Sequence, residues 1–254
     1  MASEEELREV RERLVGQAPE ARISRVRVER PGGDVVQGFL ALTDLCSTVA
    51  DALDELGVGG VAAGSAIAPV VTDGPLCGPA ITVRYGGEGA SVGAHRGRGA
   101  RSGLADRDLY GIGEPGDVAV FECDTDAGAV VGSLSVRWAR RLGIAGCVVD
   151  GAVRDLASLQ EIGVPVWARA TTPASGKHRM RALELNGSVV IGGVTVAPGD
   201  LVTADETGVC VIPAGAAAEV LDRCRAIEAA EHELERLMDT PGEAHQAAAL
   251  MRGA

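Results

Sequence analysis

The sequence is poor in aromatic residues, which make up only 2% of its 254 positions. A core without many large rings must be built from aliphatic side chains, and Val, Leu, Ile and Ala suit small strands covered by alanine-rich helices. Hydrophobic residues account for 46% of the chain and charged residues for 24%, which is typical of a protein that buries a core. The composition therefore predicts an α/β or α+β fold.

The chain also lacks paired cysteines, long apolar runs and an excess of positive charge. Its six cysteines contain no C-x-x-C pair, which argues against zinc-ribbon and disulfide frameworks and predicts buried free thiols. No apolar run approaches the roughly 20 residues that span a bilayer, and the opening MASEEELREVRERL is charged rather than signal-like. A net charge of -12 disfavours nucleic acids and anionic membranes as partners. We therefore expect a cytoplasmic protein with no nucleic-acid or membrane partner.

The second half of the chain carries the clearest pattern of secondary structure. Residues 116–170 alternate strand, helix, strand, helix and strand, which is typical of parallel strands joined by crossover helices. Residues 188–213 predict short antiparallel strands with a Gly-Gly hairpin, and a final helix is predicted from residue 214 to about 238. Together these elements predict one mixed-sheet domain over residues 1–254, with its core at about 42–213 and helical additions at both ends.

The first half gives weaker signals. Helices are predicted over residues 4–16 and 42–57, and a strand over 78–86. The glycine-rich stretch 86–103 contains a spacing that superficially resembles a dinucleotide fingerprint, but no helix-like apolar pattern follows it. A nucleotide or S-adenosylmethionine site is therefore disfavoured, and we expect this stretch to be a mobile loop.

Adjacent opposite charges, Arg154 and Asp155, follow the predicted strand at 145–150. Asp155 stands where a helix begins, so an N-cap role would explain it without an active site, and Arg154 could be a surface charge. The preceding crossover offers a second feature, because GSLS at 132–135 begins a predicted helix whose free amides can bind an anion. Loops after consecutive parallel strands emerge at the same sheet edge, so both features can share one cleft. We expect amides and guanidinium to bind a carboxylate and its neighbouring oxyanion, and Asp155 to bind a metal.

A carboxylate interrupts the apolar pattern of the predicted final helix. Glu231 fills a gap in a stripe formed by Val220, Cys224, Ile227, Leu234 and Met238. A carboxylate in an apolar stripe is costly unless a partner meets it. Glu231 is therefore either a charge at the edge of the stripe, one half of an ion pair between helices, or a functional residue. Glu228, one turn earlier and off the stripe, is a weaker functional candidate.

Three segments together resemble the RraA-like family: GSL at 132–134, RRLGIAGCVVDGAVRD at 140–155, and GGVTVAPGDLVTADETGVCVIP at 192–213. This family includes 4-hydroxy-4-methyl-2-oxoglutarate aldolases, ribonuclease E activity regulators, and proteins often mislabelled as demethylmenaquinone methyltransferases. The similarity extends from about Thr43 to Glu243. The resemblance implies an α/β fold, a compact swivelling β/β/α-type domain, that assembles as a homotrimer or homohexamer with sites between neighbouring subunits.

The resemblance also implies roles for individual residues. In the aldolase branch, the residues that match Arg154 and Asp155 bind the pyruvyl carboxylate, the enolate and a divalent metal, Mg²⁺ or Mn²⁺. A glutamate on the C-terminal helix of a neighbouring subunit orients metal-bound water, and Glu231 matches it by position. The amides that hold the substrate match Gly132, Ser133, Leu134 and Ser135. Ser133 departs from the family pattern, because an acidic or amide residue usually stands there, and this puts the standard substrate in doubt.

The sequence thus predicts a divalent-metal-dependent lyase that acts on a small-molecule 2-oxo acid. The reaction would be retro-aldol cleavage of a 4-hydroxy-2-oxo acid, or decarboxylation of an oxaloacetate-like compound, through a pyruvate enolate. The alternative is a non-enzymatic regulatory binding protein of the ribonuclease-regulator branch. Retention of both Arg154 and Asp155 favours the enzyme, because a regulator has no need for a metal-binding acid.

Overall fold

The computed structural model describes residues 1–72, 74–241 and 243–251. Within these residues, nine strands form one mixed sheet and two more form a separate hairpin. The strands are β1 (Gly60–Ala63), β2 (Ala68–Val71), β3 (Leu76–Gly87), β4 (Val118–Cys123), β5 (Gly146–Val153), β6 (Val166–Thr171), β7 (Met180–Leu185), β8 (Val189–Ile191), β9 (Val194–Val196), β10 (Leu201–Ala204) and β11 (Gly208–Ile212). The helices are α1 (Glu4–Val10), α2 (Gly33–Leu40), α3 (Leu45–Leu56), α4 (Val92–Gly97), α5 (Asp106–Ile112), α6 (Ser133–Arg141), α7 (Leu156–Ile162), α8 (Ala217–Asp239) and α9 (Ala244–Met251).

The centre of the sheet is parallel and its flanks are antiparallel. Strands β3, β4, β5 and β6 run in the same direction, and the crossovers between them contain α4 and α5, then α6, then α7. On one side, β10, β11 and β1 follow β3 in antiparallel order, and on the other side β2 pairs antiparallel with β6. The fold is therefore mixed α/β, and both the parallel run and the antiparallel C-terminal strands predicted from the sequence are confirmed.

Aliphatic side chains fill the core, as the low aromatic content predicts. One layer lies between the parallel strands and helices α5, α6 and α7, where Leu109, Val136 and Leu159 are fully buried. A second layer packs the antiparallel strands against α3 and α8, and a third lies beneath the β8–β9 hairpin. All six cysteines are buried free thiols, which confirms that prediction.

A buried carboxylate attaches the N-terminal segment to α5. The side chain of Asp108 is 2% exposed and accepts four backbone hydrogen bonds, with lengths from 2.6 to 3.0 Å. The donors are the amides of Val15, Gly16, Gln17 and Ala18. Four donors offset the cost of burying a charged group. Residues 15–18 are thereby held against the start of α5.

Helices α2 and α3 pack beside α8 on the antiparallel side of the sheet. A residue remote in sequence caps the start of α3, because Asp205 Oδ2 accepts a hydrogen bond from the Cys46 amide at 2.8 Å. Its end is capped by Gly57, whose left-handed φ of 65° is a conformation that favours glycine. In the described part of the chain, no single helix is long and apolar enough to cross a membrane. The one pair of helices that meets those criteria jointly, α2 with α3, is bent by 113°.

The structure differs from the sequence-based prediction between residues 86 and 112. The expected mobile loop over 86–103 is wrong in part, because α4 forms there and the Ser91 hydroxyl accepts a hydrogen bond from the Ala94 amide at its start. Helix α5 follows in a segment without predicted structure. Both helices are short, so local apolar periodicity does not reveal them, and packing on the sheet stabilises α5 instead.

The apolar face predicted on α8 is correct at its start and wrong at its end. Val220 and Cys224 are fully buried, whereas Met238 is 55% exposed and Leu237 is buried in its place. Glu231 is exposed and therefore does not interrupt a buried stripe. The cost of burying a carboxylate consequently does not apply to Glu231.

Candidate active site

The carboxyl ends of the four parallel strands meet at one sheet edge and enclose a pocket of about 260 Å³. Each strand contributes the segment that follows it: 102–107 after β3, 129–135 after β4, 154–155 after β5 and 175–177 after β6. Gln17, held by the N-terminal segment, completes the wall. The sequence-predicted residues Arg154, Asp155 and 132–135 therefore lie together, as expected for loops that leave the same edge of a parallel sheet.

Asp155 bonds to the neighbouring crossover instead of capping its own helix. Among the described residues its side chain makes no capping hydrogen bond to α7. Its Oδ2 atom accepts hydrogen bonds from both the amide and the hydroxyl of Ser133, each at 3.1 Å. Asp155 therefore occupies the N-cap position of α7, as the sequence suggests, but its side chain does not cap that helix.

The backbone of Asp155 is strained. Its φ of 61° and ψ of 39° lie in the left-handed region, which costs a non-glycine residue about 1–3 kcal/mol. The two hydrogen bonds from Ser133 accompany this conformation and stabilise it. Strain of this kind is common where a side chain must be aimed at a ligand.

Gly132 allows the two crossovers to approach closely. A Cβ atom at this position would lie 2.9 Å from Asp155 Oδ2 and 3.1 Å from Arg154 Cγ, so both side chains would have to shift to accommodate it. Val131, the residue before Gly132, is bonded to the end of β5, because its carbonyl accepts a hydrogen bond from the Arg154 amide at 3.1 Å. The absence of a side chain at Gly132 thus lets the start of α6 pass close to the charged pair.

The first turn of α6 presents free hydrogen-bond donors to the pocket. The amides of Leu134 and Ser135 make no hydrogen bond within the described residues, and both residues line the pocket. Arg154 lies beside them with its side chain 35% exposed and its Nε atom 3.5 Å from Asp155 Oδ2. A helix N-terminus and a guanidinium together form a site for a carboxylate.

The pocket is rich in cations although the protein carries a net charge of -12. Besides Arg154, it is lined by Arg107 and Lys177, neither of which forms an ion pair with any described residue. The Nε atom of Arg107 is buried and has no hydrogen-bond partner in the same part of the chain. Unpaired cations at one place on an acidic protein favour an anionic ligand.

Sequence reasoning missed a second carboxylate in this pocket. Asp106, the first residue of α5, is 5% exposed and lines the pocket together with Ser135. The Ser135 hydroxyl also lies 2.9 Å from the hydroxyl of Tyr110, which is fully buried. Burial raises the pKa of Asp106, and a hydrogen bond with Ser135 and the charge of Arg107 offset that rise only in part. No local signal identifies Asp106, because its segment has no clear periodicity.

The free carboxylate oxygen of Asp155 could bind a hard divalent cation that takes few of its ligands from the protein. The side chain is 34% exposed, and its Oδ1 atom has no hydrogen-bond partner among the described residues. No group of three or more His, Cys, Asp or Glu side chains in this part of the chain could hold a metal ion. Such a site suits Mg²⁺, which is often bound by one or two carboxylates plus substrate and water, and does not suit structural zinc.

Glu231 is not brought to the pocket within one chain. It lies on the exposed side of α8, and α8 packs against α3 on the antiparallel side of the sheet. Among the described residues Glu231 makes no ion pair and no hydrogen bond, so the ion-pair alternative has no support within a single subunit. Glu228 has a structural partner, because its Oε1 atom accepts a hydrogen bond from the Thr43 amide at 2.9 Å.

Comparison with known proteins identifies relatives over most of the chain. A family profile described as RraA-like, Aldolase/RraA, matches residues 46–211. A protein of Halalkalibacterium halodurans with the provisional name 4-hydroxy-4-methyl-2-oxoglutarate aldolase is 32% identical over 204 residues, which cover 80% of this chain and 88% of that protein.

Two crystal structures share the fold over most of the chain. An uncharacterized protein from Pseudomonas syringae pv. tomato has a TM-score of 0.69 at 27% identity, covering 87% of this chain and all (100%) of that chain. Streptomyces coelicolor RraAS2, described as an unusual member of the RNase ES inhibitor RraA protein family, has a TM-score of 0.68 at 29% identity. That match covers 83% of this chain and 100% of the other.

The raised pKa of Asp106 predicts a pH-dependent difference in stability between the wild type and Asp106→Asn. The protonated carboxyl fits the buried site, so its contribution is present below the unfolded pKa of about 4 and is lost as the pH rises through the folded pKa. The charged or titratable groups around it are Arg107, Asp108, Tyr85, Tyr110 and Cys147.

Asparagine stays neutral, so the melting temperature of Asp106→Asn relative to the wild type should increase from pH 4 to pH 8. Thermal unfolding at fixed ionic strength measures this difference. Asp51→Asn, on the exposed side of α3, is the control and should show a constant difference. A constant difference for Asp106→Asn as well would show that Asp106 titrates like an exposed carboxylate.

Proposed function

Because the chain belongs to the RraA-like family, we propose that it is a lyase that cleaves a carbon–carbon bond of a 2-oxo acid and uses a divalent metal held by Asp155. One observation carries the proposal: Arg154, Asp155 and the free amides of α6 line the same pocket. This arrangement offers donors for a carboxylate and a ligand for a cation side by side. The aldolase name of the Halalkalibacterium halodurans relative supports the same chemistry.

The residues of this chain would act on the 2-oxo acid as follows. The amides of Leu134 and Ser135 bind its carboxylate, and the planar guanidinium of Arg154 spans that carboxylate and the adjacent 2-oxo oxygen. When bound at Asp155, a divalent cation supplies Lewis-acid polarisation of the 2-oxo group. As the carbon–carbon bond breaks, negative charge develops on the 2-oxo oxygen, and Arg154 stabilises it because its donors are already oriented.

The pocket also suits a second anionic group on the substrate. Arg107 and Lys177 are lining cations without an ion-pair partner among the described residues. A second carboxylate is present both in 4-hydroxy-4-methyl-2-oxoglutarate, named for the relative, and in oxaloacetate. We therefore propose a dicarboxylic 2-oxo acid as substrate, cleaved by a retro-aldol reaction or by decarboxylation to pyruvate.

Asp155→Ala should abolish metal-dependent pyruvate release, since it removes the proposed metal ligand together with the bonds to Ser133. The measurement is pyruvate formation from oxaloacetate and from 4-hydroxy-4-methyl-2-oxoglutarate, with Mg²⁺ and with a chelator. Asp44→Ala is a matched control, because Asp44 also precedes a helix, is exposed, and makes no side-chain capping bond among the described residues. Full activity of Asp155→Ala would disprove the metal assignment, and an inactive wild type would favour the regulatory alternative.

Arg154→Lys should lower kcat by about 10²- to 10³-fold with a smaller rise in KM. Lysine keeps the positive charge but replaces a planar fork by one mobile donor, so it loses the contact that strengthens only as enolate charge develops. Steady-state kinetics on both substrates measures the two parameters. A defect confined to KM would mean that Arg154 binds only the ground state.

The exposed position of Glu231 supports a site completed by a neighbouring subunit in a homotrimer or homohexamer. We propose that Glu231 of one subunit faces the Asp155 of the next, and mixing of variants tests this. Asp155→Ala and Glu231→Gln should each be impaired alone, whereas co-assembled mixtures should regain activity, because about a quarter of the sites in a random trimer would contain neither change. No regain, or a monomer mass by light scattering at micromolar concentration, would contradict the shared site.

A further inference from the structure

Asp106 is a carboxylate that the packing of the fold does not require. It is 5% exposed and lines the candidate active site together with Ser135. Burying a carboxylate is costly unless donors meet it, and Asp106 lacks the four backbone amides that Asp108, two residues later, receives. A costly polar group that lines a pocket is best explained by what the pocket binds.

The other carboxylate in the pocket is already engaged. Asp155 accepts two hydrogen bonds from Ser133 and lies beside Arg154. The neutral hydroxyl of Ser133 is too weak a base to accept a proton, and no acidic or amide side chain stands at that position. Among the described residues that line the pocket, Asp106 is the one carboxylate besides Asp155.

We propose that Asp106 is the catalytic residue that accepts the proton of the substrate's 4-hydroxyl in retro-aldol cleavage, an inference that rests on the proposed function. As the O–H proton moves to the Asp106 carboxylate, the O–H electron pair forms the new C4=O bond. The C3–C4 bond breaks, and its electron pair forms the enolate of pyruvate. The Asp106 carboxylic acid then returns the proton to C3, which yields pyruvate and restores the carboxylate without any change in oxidation state overall.

Ser135 and Tyr110 are the positioning residues for this step. The Ser135 hydroxyl lies 2.9 Å from the hydroxyl of Tyr110, which is fully buried, and Ser135 and Asp106 line the same pocket. In the proposed step Tyr110 holds the Ser135 hydroxyl, and that hydroxyl donates to the Asp106 carboxylate next to the amides proposed to bind the substrate carboxylate. Burial also raises the proton affinity of Asp106, which suits a group that must take up and return a proton near neutral pH.

Comparison of two reactions of the same protein tests the proposal. Decarboxylation of oxaloacetate has no 4-hydroxyl proton to remove, whereas retro-aldol cleavage requires that step. Asp106→Asn should therefore lower kcat for cleavage of 4-hydroxy-4-methyl-2-oxoglutarate by about 10²- to 10⁴-fold, and change CO₂ release from oxaloacetate only a few-fold. Tyr110→Phe should lower the same ratio of activities by a smaller factor, because it removes only the support behind Ser135.

Control variants separate this role from a structural one. Asp51→Asn, on the exposed side of α3, should leave both activities and their ratio unchanged. If Asp106→Asn does not fold, Asp106→Glu serves instead, since it keeps the acid but displaces it, and it should show the same selective loss. Equal losses in both reactions, or no loss, would overturn the assignment of Asp106 while leaving the proposed function intact. A wild type that performs neither reaction would overturn both.

Discussion

The contact between the Asp155 carboxylate and Ser133 is the constraint on which the rest of the site depends. It joins two crossovers whose residues are 22 positions apart in sequence, and it accompanies a strained left-handed backbone at Asp155. One carboxylate oxygen is used to hold the start of α6, and the other remains for a ligand. The same residue therefore fixes the direction of the free amides and the position of the proposed cation, so neither can shift without the other.

The parallel centre of the sheet explains why a strongly acidic protein has a cationic pocket. Each of the four parallel strands ends at the same edge, so one short segment from each crossover reaches the pocket without any long loop. Arg107, Arg154 and Lys177 come from three of these segments. Their charges come together because the four strands end at the same edge, where Asp106 and Asp155 also lie.

The part of the site that the sequence predicts is the part formed by consecutive elements of a clear pattern. Arg154, Asp155 and the start of α6 follow strands β4 and β5, whose apolar runs are distinct. Asp106 and Lys177 could not be predicted in the same way, because the short α5 and the segment after β6 reach the pocket only through tertiary packing. The local sequence likewise suggests that the Asp155 side chain caps its own helix. Its actual partner, Ser133, lies in another crossover, and the sequence around Asp155 does not indicate that contact.

Not every residue in the recognisable motifs belongs to the site. Asp150, four residues before Arg154, accepts a hydrogen bond from the Gly192 amide and pairs with Arg169, and so holds the β8–β9 hairpin. Asp205 caps α3 through Cys46.

Conversely, one part of the site lies outside the recognisable motifs. Asp108 holds Gln17, which precedes the matched region 46–211, in the pocket wall. A fragment trimmed to that region would keep the charged pair but lose Gln17 from the rim of its pocket. The candidate site therefore extends further toward the N-terminus than the recognisable sequence does.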